Sequence, residues 1–229
     1  MSPRKAAVLR DGGGQSLRDH LIATAERLIA EGGTAGLTVR AIAREARVAD
    51  GVLYNHFADK EELLALGLHA HVRSVETALG EPPRTAGEGT VAANLRAYIA
   101  YSLALHVAIM PAFAGLLGRP QVLANFERLS NPMAGGRGLR SDLAGYLRAE
   151  QRLGRLSPGA DVDAAATMII GACHDLVLPR LFTGAPATPV PDDLIDALVT
   201  TIMHGITPTP GRPSPDATTK DGERANEAT

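Results

Sequence analysis

Apolar residues recur along this chain at spacings of three and four, and no stretch alternates with a period of two, so the pattern predicts helices throughout and no strand. Leu17, Leu21, Ala25 and Leu28, with Ile22 and Ile29 beside them, predict a first helix. It starts at Ser16, with Asp19 placed for a capping box, and stops at Gly32-Gly33. Two short helical patterns follow between 37 and 60. Asp59 is then placed to cap a helix running to about 79, striped by Leu64, Leu68, Val72, Val75 and Leu79 and stopped by Gly80 and Pro82-Pro83. A long apolar helix is expected over 91–109, with Pro111 beginning another short one. Further helices are predicted over 121–129, 139–153, 161–182 and 192–205, with an irregular loop over 131–138. From 207 on, Pro, Thr and charge with almost no apolar residue predict a disordered tail. Residues 1–15, with Arg4, Lys5 and Arg10 beside a Gly12-Gly13-Gly14 run, read as a flexible basic arm. No strand precedes that run and no Gly-Lys-Ser/Thr follows it, so it is no phosphate loop.

The stretch LTVRAIAREARVADGVLYNHFADK, from Leu37 to Lys60, is the one the chain is organised around. Val39, Ile42, Ala43 and Ala46 share one face of a short helix, with Thr38 as its N-cap and Leu37 placed to staple onto Ile42. Arg47 and Val48 form a tight connection. In the second pattern Val52, Leu53 and Phe57 turn inward, leaving Asp50, Tyr54, Asn55 and His56 for the outside. Two helices joined so closely, the second carrying polar groups, make a helix-turn-helix able to enter a DNA major groove. The stretch resembles the DNA-binding segment of the tetracycline-repressor (TetR) family of bacterial regulators. Leu37-Thr38, Ile42-Ala43, Ala46, Val48, Gly51, Leu53-Tyr54, His56-Phe57, Lys60-Glu61 and Leu63-Leu64 carry the likeness, and Leu21-Ile22, Ala25 and Leu28 extend it upstream.

That resemblance implies Arg40 reaching bases or phosphate, Asp50, Gly51 and Val52 facing bases, and Tyr54, His56, Lys60 and Thr38 on phosphates, with Asn55 on the same outer side. The sequence departs from the family in three places. Arg47 stands where Gly is common, and the extra cation is read as a phosphate contact. Ala49 stands where Ser commonly caps the third helix, leaving Asp50 as the candidate cap. Val52 stands where Thr is common and can touch a thymine methyl without hydrogen bonding.

Composition narrows the picture. The 229 residues are 45% hydrophobic and 21% charged, which suits a globular chain of one to two domains. Net charge is −2, yet the stretch to Lys60 carries nine basic and seven acidic residues against fourteen and eighteen beyond it. The basic end is thus the nucleic-acid end. The single Cys, Cys173, excludes an intramolecular disulfide framework and fits a reducing cytoplasm. The N-terminus has charge but no apolar core, so no signal peptide is read. Residues 97–117 are about as long as a membrane span, but Ser102, His106, Gly115 and Pro111 interrupt them; a buried core helix pair is expected and no membrane partner.

Beyond residue 60 no catalytic set emerges. Ser102 and His106 lie one helical turn apart, but nothing supplies an orienting acid or an oxyanion hole. His69, His71, His106, His174 and His204 show no metal-ligand spacing, so neither metal nor cofactor is expected. Tyr98, Tyr101, Ser102, His106, Met110 and Phe113, joined by Tyr146 and His174, fit a mainly apolar cavity with a few polar anchors for a small molecule. Each of them singly also fits plain core packing. By the family's pattern the last two long helices pair with their mates in a homodimer, through Ile169, Val177, Leu194, Ile195, Leu198, Val199 and Ile202. The expectation is an all-α transcriptional regulator, a repressor rather than an enzyme. It would comprise a helix-turn-helix domain at 16–59 and a helical effector-binding and dimerisation domain at 60–206. It would bind a palindromic duplex operator and be released by a small, largely hydrophobic effector. A regulator without a small-molecule effector, and an enzyme that keeps a regulator-like N-terminus, are the alternatives.

Overall fold

Local caps set where the helices begin. The computed structural model describes residues 16–80, 85–129, 138–183 (side chains to 179) and 189–205. The basic arm, the loop over 131–137 and the tail expected from the sequence lie outside them. Helix α1 spans Leu17–Gly32 behind the expected capping box: Asp19 N–H donates to Ser16 Oγ at 3.1 Å and Ser16 N–H to the Asp19 carboxylate at 3.3 Å. Helix α2, Val39–Glu45, is capped by Thr38, whose Oγ1 accepts from Ala41 N–H at 3.2 Å. After the short α3, Asp50–Leu53, helix α4 runs Lys60–Leu79 from an Asp59 cap that accepts from Glu62 N–H at 2.7 Å. Glu62 answers by accepting from Ala58 N–H at 2.6 Å. Each such cap satisfies donors that the first helical turn leaves unpaired.

The remaining helices are α5 (Val91–Ala114), α6 (Pro120–Arg128), α7 (Leu139–Arg152), α8 (Val162–Thr183) and α9 (Asp192–His204). No strand occurs among the described residues. Pro111 does not end α5 as expected; the helix runs through it to Ala114. Proline removes one backbone donor and crowds the preceding turn. Here the last turn is held from outside the helix, because the buried Thr34 hydroxyl donates to the Ala112 carbonyl at 2.5 Å.

Two apolar cores organise the packing. The first joins Leu21, Ala25 and Ile29 of α1, Ile42 and Ala43 of α2, Leu53 and Phe57, and Leu63, Leu64, Leu68 and Val72 of α4. It also takes in Leu105, Ile109 and Ala112 of α5 and Val122 and Phe126 of α6. Burying each Leu, Ile or Phe stabilises by about 1.5–3 kcal/mol. Helices α1 and α4 pack closely because position 67 is glycine; a Cβ there would lie 2.7 Å from that of Ala25. The second core sits between α5, α7, α8 and α9, around Leu95, Tyr98, Ile99, Leu143, Leu147, Ile169, Cys173 and Val199. Helices α5 and α8 are long and apolar enough to cross a membrane, but α5 lies against α4, α8 and α9, and α8 also against α7.

Candidate nucleic-acid interface

The reading unit is built on the turn after α2. Val48 N–H donates to Ala43 O at 3.0 Å and Arg47 N–H to Arg44 O at 3.1 Å, the pair of bonds by which a left-handed residue closes a helix. The left-handed residue is Arg47, at φ 57°, where glycine would be unstrained. The turn therefore keeps its geometry with a cation in it, and the Arg47 side chain is exposed.

Helix α3 then starts without a side-chain cap. Its N-cap is Ala49, and Asp50, expected to serve instead, makes no capping bond. One residue inside the helix, its carboxylate turns to α2 and pairs with Arg40, Oδ2 to Nε at 3.3 Å. Leu53 and Phe57 are buried, which fixes the rotation of the segment and leaves Gly51, Tyr54, Asn55 and His56 exposed. Val52 is half-buried and Tyr54 is 62% exposed. The Arg40 side chain, at 88%, is almost wholly in solvent. Phe57 is covered from outside by the Arg18 guanidinium, 5.0 Å above its ring, which also pairs with Glu62 at 3.0 Å.

Thr38, Arg40, Tyr54 and Lys60 come together along one groove of about 550 Å³. Its far wall is Arg119 and Pro120 at the start of α6. Arg119, which the sequence reading left out, donates from Nη1 to Leu37 O at 3.3 Å and so ties the large helical body to the residue before the Thr38 cap. Its only sequence signal is its place as the first cation after Arg96, directly ahead of a proline that can open a helix.

The residues proposed to line an effector cavity divide. Tyr101 and Phe113 pack with the first core, and Phe113 stacks edge-on against Phe126 at 5.3 Å. Tyr98, Met110 and Tyr146 go with the second. The Tyr98 hydroxyl donates to Leu139 O at 2.6 Å. Tyr146 OH accepts from Asn94 Nδ2 at 2.9 Å, and burial pushes its phenol up to about 12. Beside it the buried Glu150 pairs with Arg155 at 3.2 Å. Between the cores lie Ser102, fully buried with its hydroxyl unpartnered, and His106, whose ring meets that of His174 edge-on at 4.5 Å. His106 Nδ1 lies 2.5 Å from the Ser102 carbonyl, so Nδ1 carries the proton of a neutral ring. Burial holds that imidazole below its ordinary value. Neither the groove above nor a second one of about 320 Å³ between α1, α4 and α6 is lined by any of these eight residues.

Of the residues read as a dimer surface, Ile169, Val177, Ile195 and Val199 are buried in the chain's own core. Leu198 and Ile202 are half-buried, while Leu194, and Met168 on α8, are exposed at 38% and 63%. Four of these seven residues are thus already covered within the single chain, while Leu194, Leu198 and Ile202 keep part of their surface open.

A short helical pair presenting cations and an aromatic hydroxyl, carried on a larger helical body, is the architecture of a helix-turn-helix transcription regulator. Residues 21–66, which hold most of α1, all of α2 and α3 and the start of α4, match the family described as bacterial regulatory proteins, tetR family. A solved TetR-family transcription regulator is 26% identical over 85% of this chain and all of its own, with a TM-score of 0.53. FadR from Bacillus subtilis, solved in complex with stearoyl-CoA, is 21% identical and covers 82% of this chain and 98% of its own, with a TM-score of 0.55. The fatty acid degradation regulator FadR from Bacillus halodurans is 19% identical over 85% and 98%, with a TM-score of 0.56. These likenesses extend the shared fold through the large helical body. No curated protein matches the chain.

Proposed function

We propose that this transcription regulator is a cytoplasmic repressor that binds a palindromic operator as a homodimer and is released by a small, largely hydrophobic molecule. The observation that carries the DNA reading is the exposed row Arg40, Tyr54, His56 and Lys60, mounted over the buried Leu53 and Phe57. Buried anchors fix the row's orientation, and the row's own ion pairs, Arg40–Asp50 and Lys60–Glu61, lie on the exposed surface. Tyr54 and Lys60 are the phosphate contacts of this reading. Tyr54→Ala and Lys60→Ala should weaken binding to all sequences alike with circular dichroism unchanged. Wild-type binding by both across a salt series refutes this docking. Dimerisation through α8 and α9 places two reading units on successive major grooves ~34 Å apart. It would also cover Met168 and Leu194.

The effector reading rests on the buried Ser102 hydroxyl, which has no partner, beside the buried His106 and the half-buried His174, since buried polar groups ordinarily have partners. With no Arg or Lys between Arg96 and Arg119, a neutral or cationic molecule suits the site better than a strongly anionic one. A ligand that binds only one conformer shifts the population toward it, and a swing of α4 would then pull the reading units out of register. Ser102→Trp should abolish induction while leaving operator binding intact; normal induction in that variant removes α5 from the effector site.

A further inference from the structure

Asp50 is the residue a DNA-facing surface least needs. A carboxylate carried toward a polyanion lowers affinity unless a cation or a base donor meets it. It does not cap α3, whose N-cap Ala49 has no side-chain bond. What it holds is Arg40, with Oδ2 3.3 Å from Nε. Arg40 stands on α2, second after the Thr38 cap, and its side chain is otherwise free in solvent.

The point of attachment decides what the arginine can do. A guanidinium has five N–H donors in a planar fork. An ion pair made through Nε leaves the outer edge, formed by Nη1 and Nη2, with two parallel donors that this contact does not engage. That edge matches O6 and N7 of a guanine in the major groove, the commonest specific contact that arginine makes. A phosphate contact would need no such brace, because a phosphate accepts from many directions and an adjacent carboxylate only weakens the attraction. Thr38, Tyr54 and Lys60, on the same groove as Arg40, are already placed for the backbone.

We infer that Asp50 is a positioning residue that braces Arg40, and that the braced guanidinium reads a guanine in each operator half-site. The inference rests on the reading of the chain as a DNA-binding regulator and adds which base it selects and how.

The test is selection of bound duplexes from a randomised library by the full chain, its Arg40→Ala, Asp50→Asn and Asp50→Glu variants, followed by affinities on the selected operator. A second operator carries 7-deazaguanine at the conserved position, which removes the N7 acceptor alone. The wild type is expected to fix a G·C pair in each half-site. Arg40→Ala should leave that position degenerate and bind the operator roughly tenfold to a hundredfold more weakly. Asp50→Asn should relax the same position while strengthening binding to unrelated DNA, since a negative charge is lost; Asp50→Glu should restore the preference. The 7-deaza operator should cost the wild type about tenfold and Arg40→Ala nothing. An unchanged guanine preference in Asp50→Asn overturns the brace. A uniform loss across all sequences in Arg40→Ala, with a shallower salt slope, overturns the base reading and makes Arg40 a phosphate contact. A wild-type chain that enriches no sequence at all overturns the regulator reading, and this inference with it.

Discussion

Thr34 gives the sharpest test of how the reading unit is held. It is fully buried in the loop between α1 and α2, and its hydroxyl donates to the carbonyl of Ala112, in the last turn of α5. The N–H groups of Gly115 and Leu116 both turn to Phe113 O, so the Ala112 carbonyl depends on Thr34 for its bond. The site cannot give way easily: a Cβ on Gly115 would lie 2.5 Å from both Ala35 N and Thr34 Oγ1. Thr34→Val keeps the shape of the side chain and deletes the donor. Leaving a buried acceptor unsatisfied costs about 1–3 kcal/mol. For a chain of this size, ~2 kcal/mol lowers Tm by about 4–8 °C. Thermal and urea unfolding of the full chain should show that loss, with Thr34→Ser, which retains the hydroxyl, falling much less. Because the loop leads straight into the Thr38 cap, Thr34→Val should also weaken operator binding. Wild-type stability in Thr34→Val, or equal damage in Thr34→Ser, refutes the argument from the hydrogen bond.

Three further outcomes follow from the geometry. Arg47→Gly relieves a left-handed residue, worth about 1–2 kcal/mol, against the larger unfolded-state freedom of glycine, about 0.5–1. Its Tm should rise slightly while affinity for all DNA sequences falls; a lower Tm contradicts the strain. His106 is kept below its ordinary value by burial, with His174 adding to that and the bond to Ser102 opposing it. The unfolded chain therefore takes up the proton first, and stability should fall as pH drops below about 6.5, with no contribution from this residue above it. His106→Asn should flatten that dependence, and an identical slope in the variant would exclude His106 as its source. Burial also pushes the Cys173 thiol up to about 12, so it should react far more slowly with a disulfide reagent at pH 8 in the folded chain than in urea. Equal rates would show an accessible thiol.

What the sequence made legible was whatever local chemistry decides. The caps at Ser16, Thr38 and Asp59 are short-range bargains between a side chain and the next turn, and all three stand where the residues placed them. The turn at Arg47 was legible too, because a tight interhelical connection demands its conformation whichever residue occupies it. Pro111 was not legible: a proline inside a helix removes only its own donor, and periodicity does not say whether the helix runs on past it, nor that Thr34, remote in sequence, ties down the Ala112 carbonyl in the turn that follows. Periodicity likewise does not say what covers Ile169, Val177, Ile195 and Val199, which are buried within the single chain, since an apolar stripe looks alike whether its own chain or a copy covers it. The Arg40–Asp50 pair spans the turn between two helices, and only the angle of that turn brings the two side chains together.

The first core does not stop where the helix-turn-helix ends. Leu105, Ile109 and Ala112 of α5, with Val122 and Phe126 of α6, close over the same cluster as Leu21, Ile42 and Leu53. A fragment cut near residue 66 would therefore carry an open apolar wound where α5 and α6 had lain. For anyone building hybrid regulators, the unit to transplant is not the matched segment alone. It is that segment together with the strip from 105 to 126 that roofs it, and a graft that swaps one without the other inherits a mismatched seam at Thr34, Gly115 and Arg119.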